Sequence, residues 1–166
     1  MKIYLLGMPG SGKTTLGKSL AISRKELFID LDKEIETNAD KSISEIFSED
    51  GESEFRKLES DLLRRITLSN RSFIMSTGGG APCHHDNISY MVSSGITIYL
   101  KVSLHELNIR LKTDKDSRPL LSKPGELNNT IKELLLAREK YYSKASIIIE
   151  SDSISLKDIE SALAKN

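Results

Sequence analysis

The sequence predicts an α/β fold, a parallel β-sheet covered by helices on both faces, and two observations carry that reading. Short apolar runs alternate along the 166 residues with longer segments of helical periodicity, the pattern of a doubly covered parallel sheet. The first run, Ile3-Tyr4-Leu5-Leu6, is almost wholly apolar and stops at Gly7, as a central strand buried on both faces does.

The elements follow in order. A helix is expected from about Lys13, with Leu16 and Leu20 on its buried side. Leu27-Phe28-Ile29 reads as a second strand, ended by Asp30 and Asp32. From Lys33 to about Leu68 apolar residues recur at helical spacing, among them Ile35, Ile46, Phe55, Leu62 and Ile66, and Ser42-Ile43-Ser44-Glu45 has the form of a capping box. Ser72-Phe73-Ile74-Met75 is a third strand, closed by Gly78-Gly79-Gly80. Ile96 to Leu100 is a fourth, followed by a second capping-box pattern at Ser103 to Glu106. Thr113 to Gly125 is polar and carries two prolines, so it is expected to be a mobile loop. A helix from about Asn128 to Tyr142, the strand Ile147-Ile148-Ile149 and an amphipathic helix from Leu156 to Leu163 complete the chain.

Residues 1–166 fit a single domain with one sizeable core. Lys plus Arg equals Asp plus Glu, 24 each, which gives no support to a nucleic-acid or membrane-surface partner. The lone cysteine, Cys83, excludes an internal disulfide and fits a reducing compartment. No signal peptide and no run of membrane-spanning length is seen, so a cytoplasmic protein is expected.

Chemistry enters at Gly7-Met8-Pro9-Gly10-Ser11-Gly12-Lys13-Thr14, a full G-x-x-x-x-G-K-T between an expected strand and an expected helix. Its glycines let the backbone curl so that successive N–H groups point at phosphate oxygens, and the helix N-terminus adds its positive end. Gly10, Ser11, Gly12, Lys13, Thr14 and Thr15 are therefore expected to bind ATP, with Lys13 reaching the β- and γ-phosphates and the Thr14 hydroxyl on Mg²⁺. The third strand ends in Ser76-Thr77-Gly78 and offers no carboxylate to stand behind the metal; the second offers Asp30 and Asp32. In a strand these two point to one side, so one could face the metal and the other a hydroxyl of the acceptor. Equally, Asp32 could simply cap the helix beginning at Lys33. The spacing allows both.

The same P-loop, Asp30-Leu31-Asp32, Glu54-Phe55-Arg56-Lys57-Leu58-Glu59, Gly78-Gly79-Gly80-Ala81, Arg118-Pro119-Leu120-Leu121 and Arg138-Glu139-Lys140-Tyr141-Tyr142 stand in order and approximate spacing. In these six motifs the chain resembles the shikimate kinase family, from residue 1 to about 150. The resemblance implies a three-layer P-loop kinase fold of the nucleoside-monophosphate-kinase type: five parallel strands in the order 2-3-1-4-5, an acceptor-binding helical region at about 33–61 and a lid at about 113–125. It implies transfer of the γ-phosphoryl of ATP to the 3-hydroxyl of shikimate, in the route to chorismate and the aromatic amino acids, by a monomer. By position, Asp32 would bind the shikimate hydroxyls near the attacking oxygen. Arg56 and Arg138 would hold the carboxylate, and Gly78, Gly79 and Gly80 would contact the ring through their backbone. Arg118 would reach the transferring phosphate from the lid, and Asp30 would stand behind the metal.

The chemistry of the residues agrees. Arginine's planar fork matches a carboxylate, Asp32 can accept from hydroxyls, and three glycines let a backbone approach a ligand. Read singly, Arg56 could only pair with Glu59 along its helix and Arg138 with neighbouring glutamates. The resemblance also implies a basic residue before the lid that flanks adenine, for which this chain offers Arg110 or Lys112. Cys83, His84 and His85 lack metal-ligand spacing. Tyr141 and Tyr142 are expected to pack at the end of their helix, with one hydroxyl available to line the site. Rival readings are a gluconate or nucleoside-monophosphate kinase of the same architecture, or an ATP-binding switch that phosphorylates nothing.

Overall fold

The computed structural model describes residues 1–113 and 127–166. Arg118 and the expected lid, apart from Thr113, lie outside the described residues. Five strands, β1 (Lys2–Leu6), β2 (Phe28–Asp30), β3 (Phe73–Ser76), β4 (Ile96–Lys101) and β5 (Ile147–Glu150), form one sheet in the order β2-β3-β1-β4-β5. Every pairing in it is parallel. Between and after the strands come α1 (Lys13–Arg24), α2 (Leu31–Ala39), α3 (Ile43–Glu49), α4 (Gly51–Ser69), a 3₁₀ turn at Ala81–Cys83, α5 (Asn87–Ser94), α6 (Leu104–Thr113), α7 (Leu127–Tyr142) and α8 (Leu156–Ala164).

The period of two along β1 sorts the core. Tyr4 and Leu6 pack on one face with Ile35, Phe55, Leu63, Met91 and Tyr142. Ile3 and Leu5 pack on the other with Leu20, Ala21 and Ile159. These four of the five β1 side chains are essentially unexposed, and burial of each contributes about 1.5–3 kcal/mol. That is why the central strand is so apolar. In register, Ser76 lies beside Leu5 on one side and Asp30 on the other. The carboxyl ends of β1, β2 and β3 are thus level, and ligands of open α/β sheets bind at such ends.

The helical region expected over Lys33 to about Leu68 is three helices, α2, α3 and α4. The chain turns through left-handed conformations at Asp40 (φ 51°) and Gly51 (φ 83°). Ser42 and Glu45 form the full reciprocal capping box at the start of α3. At α6 only half the expected box exists: the Glu106 N–H donates to Ser103 Oγ at 3.2 Å, while the Ser103 N–H goes to Asp152 Oδ1 at 2.9 Å. Glu106 is drawn off by Arg110, at 2.8 Å.

Asp32 is the notable correction. It is neither in a strand nor a cap. β2 ends at Asp30, α2 begins at Leu31, and Asp30 is the residue in the capping position, accepting from the Lys33 N–H at a long 3.5 Å. Asp32 stands in the first turn of α2, where the helix dipole favours an anion.

Candidate active site

The phosphate loop joins β1 to α1. Gly10 (φ 80°) and Gly12 (φ 91°) hold left-handed conformations that other residues resist. Gly12 is also the cap of α1, so the loop runs directly onto a helix N-terminus. Lys13 is buried, and its ammonium donates to the carbonyls of Gly7 and Met8, both at 2.9 Å, at the mouth of the loop. The start of α1 therefore gathers positive charge where phosphate would lie. From α6, Arg110 donates to Gly10 O at 3.3 Å and to the carbonyl of Asp152. Lys112 instead lines a separate hollow with His105 and Asn128. Of the two basic residues considered for adenine, Arg110 is the one that touches the loop.

Beside Lys13, Thr14 connects two strands. Its hydroxyl donates to Asp30 Oδ2 at 2.9 Å and lies 3.2 Å from Ser76 Oγ. An ionised carboxylate only accepts and a hydroxyl has one proton, so Thr14 gives that proton to Asp30 and accepts from Ser76. One Thr14 lone pair remains. A hydroxyl, a carboxylate and a second hydroxyl are hard oxygen donors, which fits Mg²⁺ held largely by nucleotide phosphates. Ser76 reaches Thr14 only through the sheet register, which the sequence does not display.

A cavity of about 620 Å³ begins at Thr14 and Asp30 and runs between α2, α4 and α7. Asp32, Arg56, Glu59, Arg138 and the Gly78–Gly80 loop line it. The arginines are only 6% and 8% exposed. A Cβ on Gly80 would meet Arg56 Nη2 at 2.6 Å, and one on Gly79 would meet Arg138 Nη1 at 3.0 Å. Arg56 does make the helix pair the sequence allowed, to Glu59 at 2.9 Å, and a second to Glu52 at 3.2 Å. It does so while facing the cavity, so the two readings of it are compatible. Arg138 makes no ion pair among the described residues.

Glu59 also lines the cavity, although the sequence assigned it no role in the site. It is wholly buried, Oε2 takes the Arg56 bond, and Oε1 has no partner among the described residues. Burial pushes its carboxyl up to about 7, against the pull of the Arg56 guanidinium, and Asp32 adds to the rise. The spacing Arg56 to Glu59 was readable; the burial that makes the pair consequential was not. Cys83 is partly buried, and burial raises its thiol to about 11. It is therefore not a thiolate near neutral pH.

A glycine loop on a helix N-terminus, a cluster of hard oxygens that could hold Mg²⁺ and an arginine-walled cavity thus adjoin one another. The family model described as shikimate kinase matches residues 9–165. The chain belongs to the shikimate kinase family. A shikimate kinase of Parabacteroides distasonis is 43% identical over 99% of this chain and 98% of its own. The crystal structure of shikimate kinase from Bacteroides thetaiotaomicron superposes with a TM-score of 0.89 at 38% identity, covering 99% of this chain and 95% of that one. The shikimate kinase of Acinetobacter baumannii, solved in complex with shikimate, gives 0.88 at 32% identity over 99% and 90%. The gluconokinase of Sinorhizobium meliloti, at 16% identity and a TM-score of 0.61, shares the fold. The expected fold, strand order and shikimate kinase family are borne out. No helix among the described residues is long and apolar enough to cross a membrane.

Proposed function

We propose that this ATP-dependent kinase transfers the γ-phosphoryl group of ATP to the 3-hydroxyl of shikimate, giving shikimate 3-phosphate and ADP. The supporting observation is the cavity that starts at the phosphate-loop residue Thr14 and is walled by two buried guanidiniums, Arg56 and Arg138. Shikimate carries one carboxylate and several hydroxyls. The arginines match the first, and Asp32, which lines the same cavity beside Gly78, matches the second.

Phosphoryl transfer is loose and gathers charge on the equatorial oxygens, so positioning and cations matter more than a strong base. The backbone of Gly10 to Thr15 binds the phosphates. Lys13 exchanges its bonds to Gly7 and Met8 for bonds to the β- and γ-phosphates. Thr14 would hold Mg²⁺, with Asp30 behind it fixing the hydroxyl. Bound Mg²⁺ would neutralise phosphate charge. Asp32 orients the attacking hydroxyl first and accepts its proton second. Arg118, which lies outside the described residues, is assigned to the transferring phosphate on the family resemblance alone. The same reading takes the protein as a cytoplasmic monomer with one catalytic domain.

Release of ADP with ATP and each of shikimate, gluconate and AMP tests the reading. Turnover with shikimate should exceed the others by orders of magnitude. Equal ADP release with every acceptor, or with none, would overturn it.

A further inference from the structure

The loop Gly78-Gly79-Gly80 has a polarity that its sequence does not show. All three carbonyls are taken by protein donors: Gly78 O by the Ala81 N–H at 3.1 Å, Gly79 O by the Tyr142 hydroxyl at 2.5 Å, and Gly80 O by the Cys83 N–H at 2.9 Å. None of the three glycine N–H groups has an acceptor among the described residues. Successive backbone donors left open in this way make an anion-binding concavity. Two of the three carbonyls are held by the local turn. The middle one is held by a side chain 63 positions away.

We propose that Tyr142 is a positioning residue for the acceptor: by holding the Gly79 carbonyl it presents the Gly80 N–H to an anionic oxygen lodged between Arg56 and Arg138. The peptide is trans, so its C=O and N–H point in opposite directions. A carbonyl fixed toward Tyr142 fixes the Gly80 N–H away from it. Gly80 and Gly79 are the residues against which the Arg56 and Arg138 guanidiniums lie. Arg138 and Tyr142 are one helical turn apart on α7, so one helix face bonds Gly79 through Tyr142 and sets the Arg138 guanidinium beside it. The Tyr142 ring is itself fixed: it is wholly buried, lies 4.9 Å from the Tyr99 ring, and its oxygen is 3.9 Å from Met8 Sδ. Buried in this way, the hydroxyl has no water to turn to, so its bond to Gly79 is strongly favoured.

This rests on the shikimate reading of the cavity, and the experiment separates the two. Tyr142→Phe keeps the ring and removes the hydroxyl. Tyr99→Phe, the control, removes a hydroxyl from the same ring pair, one bonded to Glu139 and not to the glycine loop. Shikimate and ADP binding are measured by calorimetry for both variants and the parent, with the Gly80 amide followed by NMR. In Tyr142→Phe, shikimate affinity should fall about tenfold, the size of one lost hydrogen bond. ADP affinity should hold within about twofold, and the Gly80 amide resonance should move. Tyr99→Phe should change none of these. Unchanged shikimate affinity and an unmoved Gly80 amide in folded Tyr142→Phe would overturn the proposal. So would equal losses for ADP and shikimate, the mark of a general packing defect. A parent that fails to bind shikimate would remove the substrate reading, and the Gly80 resonance would still decide what Tyr142 holds.

Discussion

Asp32 and Glu59 close on one point from two helices: a Cβ on Gly78 would lie 2.6 Å from Asp32 Oδ1 and 2.9 Å from Glu59 Oε1. The absence of a side chain at Gly78 is therefore what lets both carboxylates stand at the cavity wall. Neither is the free end of a long flexible chain. Asp32 is held by the first turn of α2 and Glu59 by Arg56.

Gly78→Ala should displace Asp32 and lower kcat/KM for shikimate by about 100-fold, the scale of a misplacement near 1 Å. ADP affinity should stay within about twofold, because Gly78 is on the acceptor side of Thr14. Steady-state kinetics beside ADP calorimetry checks both. Undiminished kcat/KM would mean that Asp32 tolerates displacement and does not set the attack geometry.

Glu59 predicts a pH signature. Burial pushes its folded carboxyl up to about 7 from an ordinary 4.5, so between those values the folded state holds a proton that the unfolded state has lost. Stability from this group is thus greatest at low pH and falls as pH rises from about 4.5 to about 7. Glu59→Gln cannot titrate. Its stability relative to the parent should improve across that window by a few kcal/mol at most, since a tenfold change in proton affinity is worth about 1.4 kcal/mol. Urea unfolding at pH 4.5 and pH 8 measures it. A pH-independent difference would show that Arg56 keeps Glu59 ionised throughout.

Most of the fold was legible because each strand announces itself by composition and each lies within a residue or two of its expected bounds. The D-x-D at the end of β2 was not. Either aspartate can cap a helix, and a three-residue edge strand gives no periodicity to separate them; the pairing of Asp30 with Ser76 decides it. The arginines were legible only as a set in register, since a lone Arg56 beside Glu59 reads as a surface pair. Ser76 and Tyr142 were beyond reach in their roles. Their partners, Thr14 and Gly79, are 62 and 63 positions distant, and only the sheet register and the packing of α7 bring them together.

Asp30 and Asp32 should part company on substitution. Asn caps about as well as Asp, so Asp30→Asn should leave stability within about 0.5 kcal/mol. It should raise the Mg²⁺ concentration needed for half-maximal rate, since the Thr14 hydroxyl loses its charged acceptor. Asp32→Asn should leave the Mg²⁺ requirement alone and lower kcat steeply. Magnesium titrations of both variants test this; the same Mg²⁺ response in each would merge the two roles.

Arg56 and Arg138 face one cavity but are tied into the fold differently, and their alanine variants should separate accordingly. Among the described residues, Arg56 is the sole hydrogen-bond partner of the buried Glu59 carboxyl. Arg56→Ala leaves that carboxyl buried and alone, and breaking such a pair costs about 3–5 kcal/mol. The carboxyl can escape the cost by taking a proton. The loss should therefore be smallest near pH 5 and grow toward pH 8, the same sign as the Glu59 titration. Arg138 has no ion pair among the described residues and exerts a lesser pull on the Glu59 carboxyl than Arg56 does, so Arg138→Ala should cost far less stability than Arg56→Ala at every pH. Each variant should still lose shikimate affinity, by about 1.5–3 kcal/mol for a charge-assisted bond, with ADP binding intact. Thermal unfolding at three pH values, paired with shikimate calorimetry, reads both effects. An Arg138→Ala protein that is destabilised as much as Arg56→Ala, or that keeps full shikimate affinity, would show that Arg138 braces the fold and does not hold the acceptor.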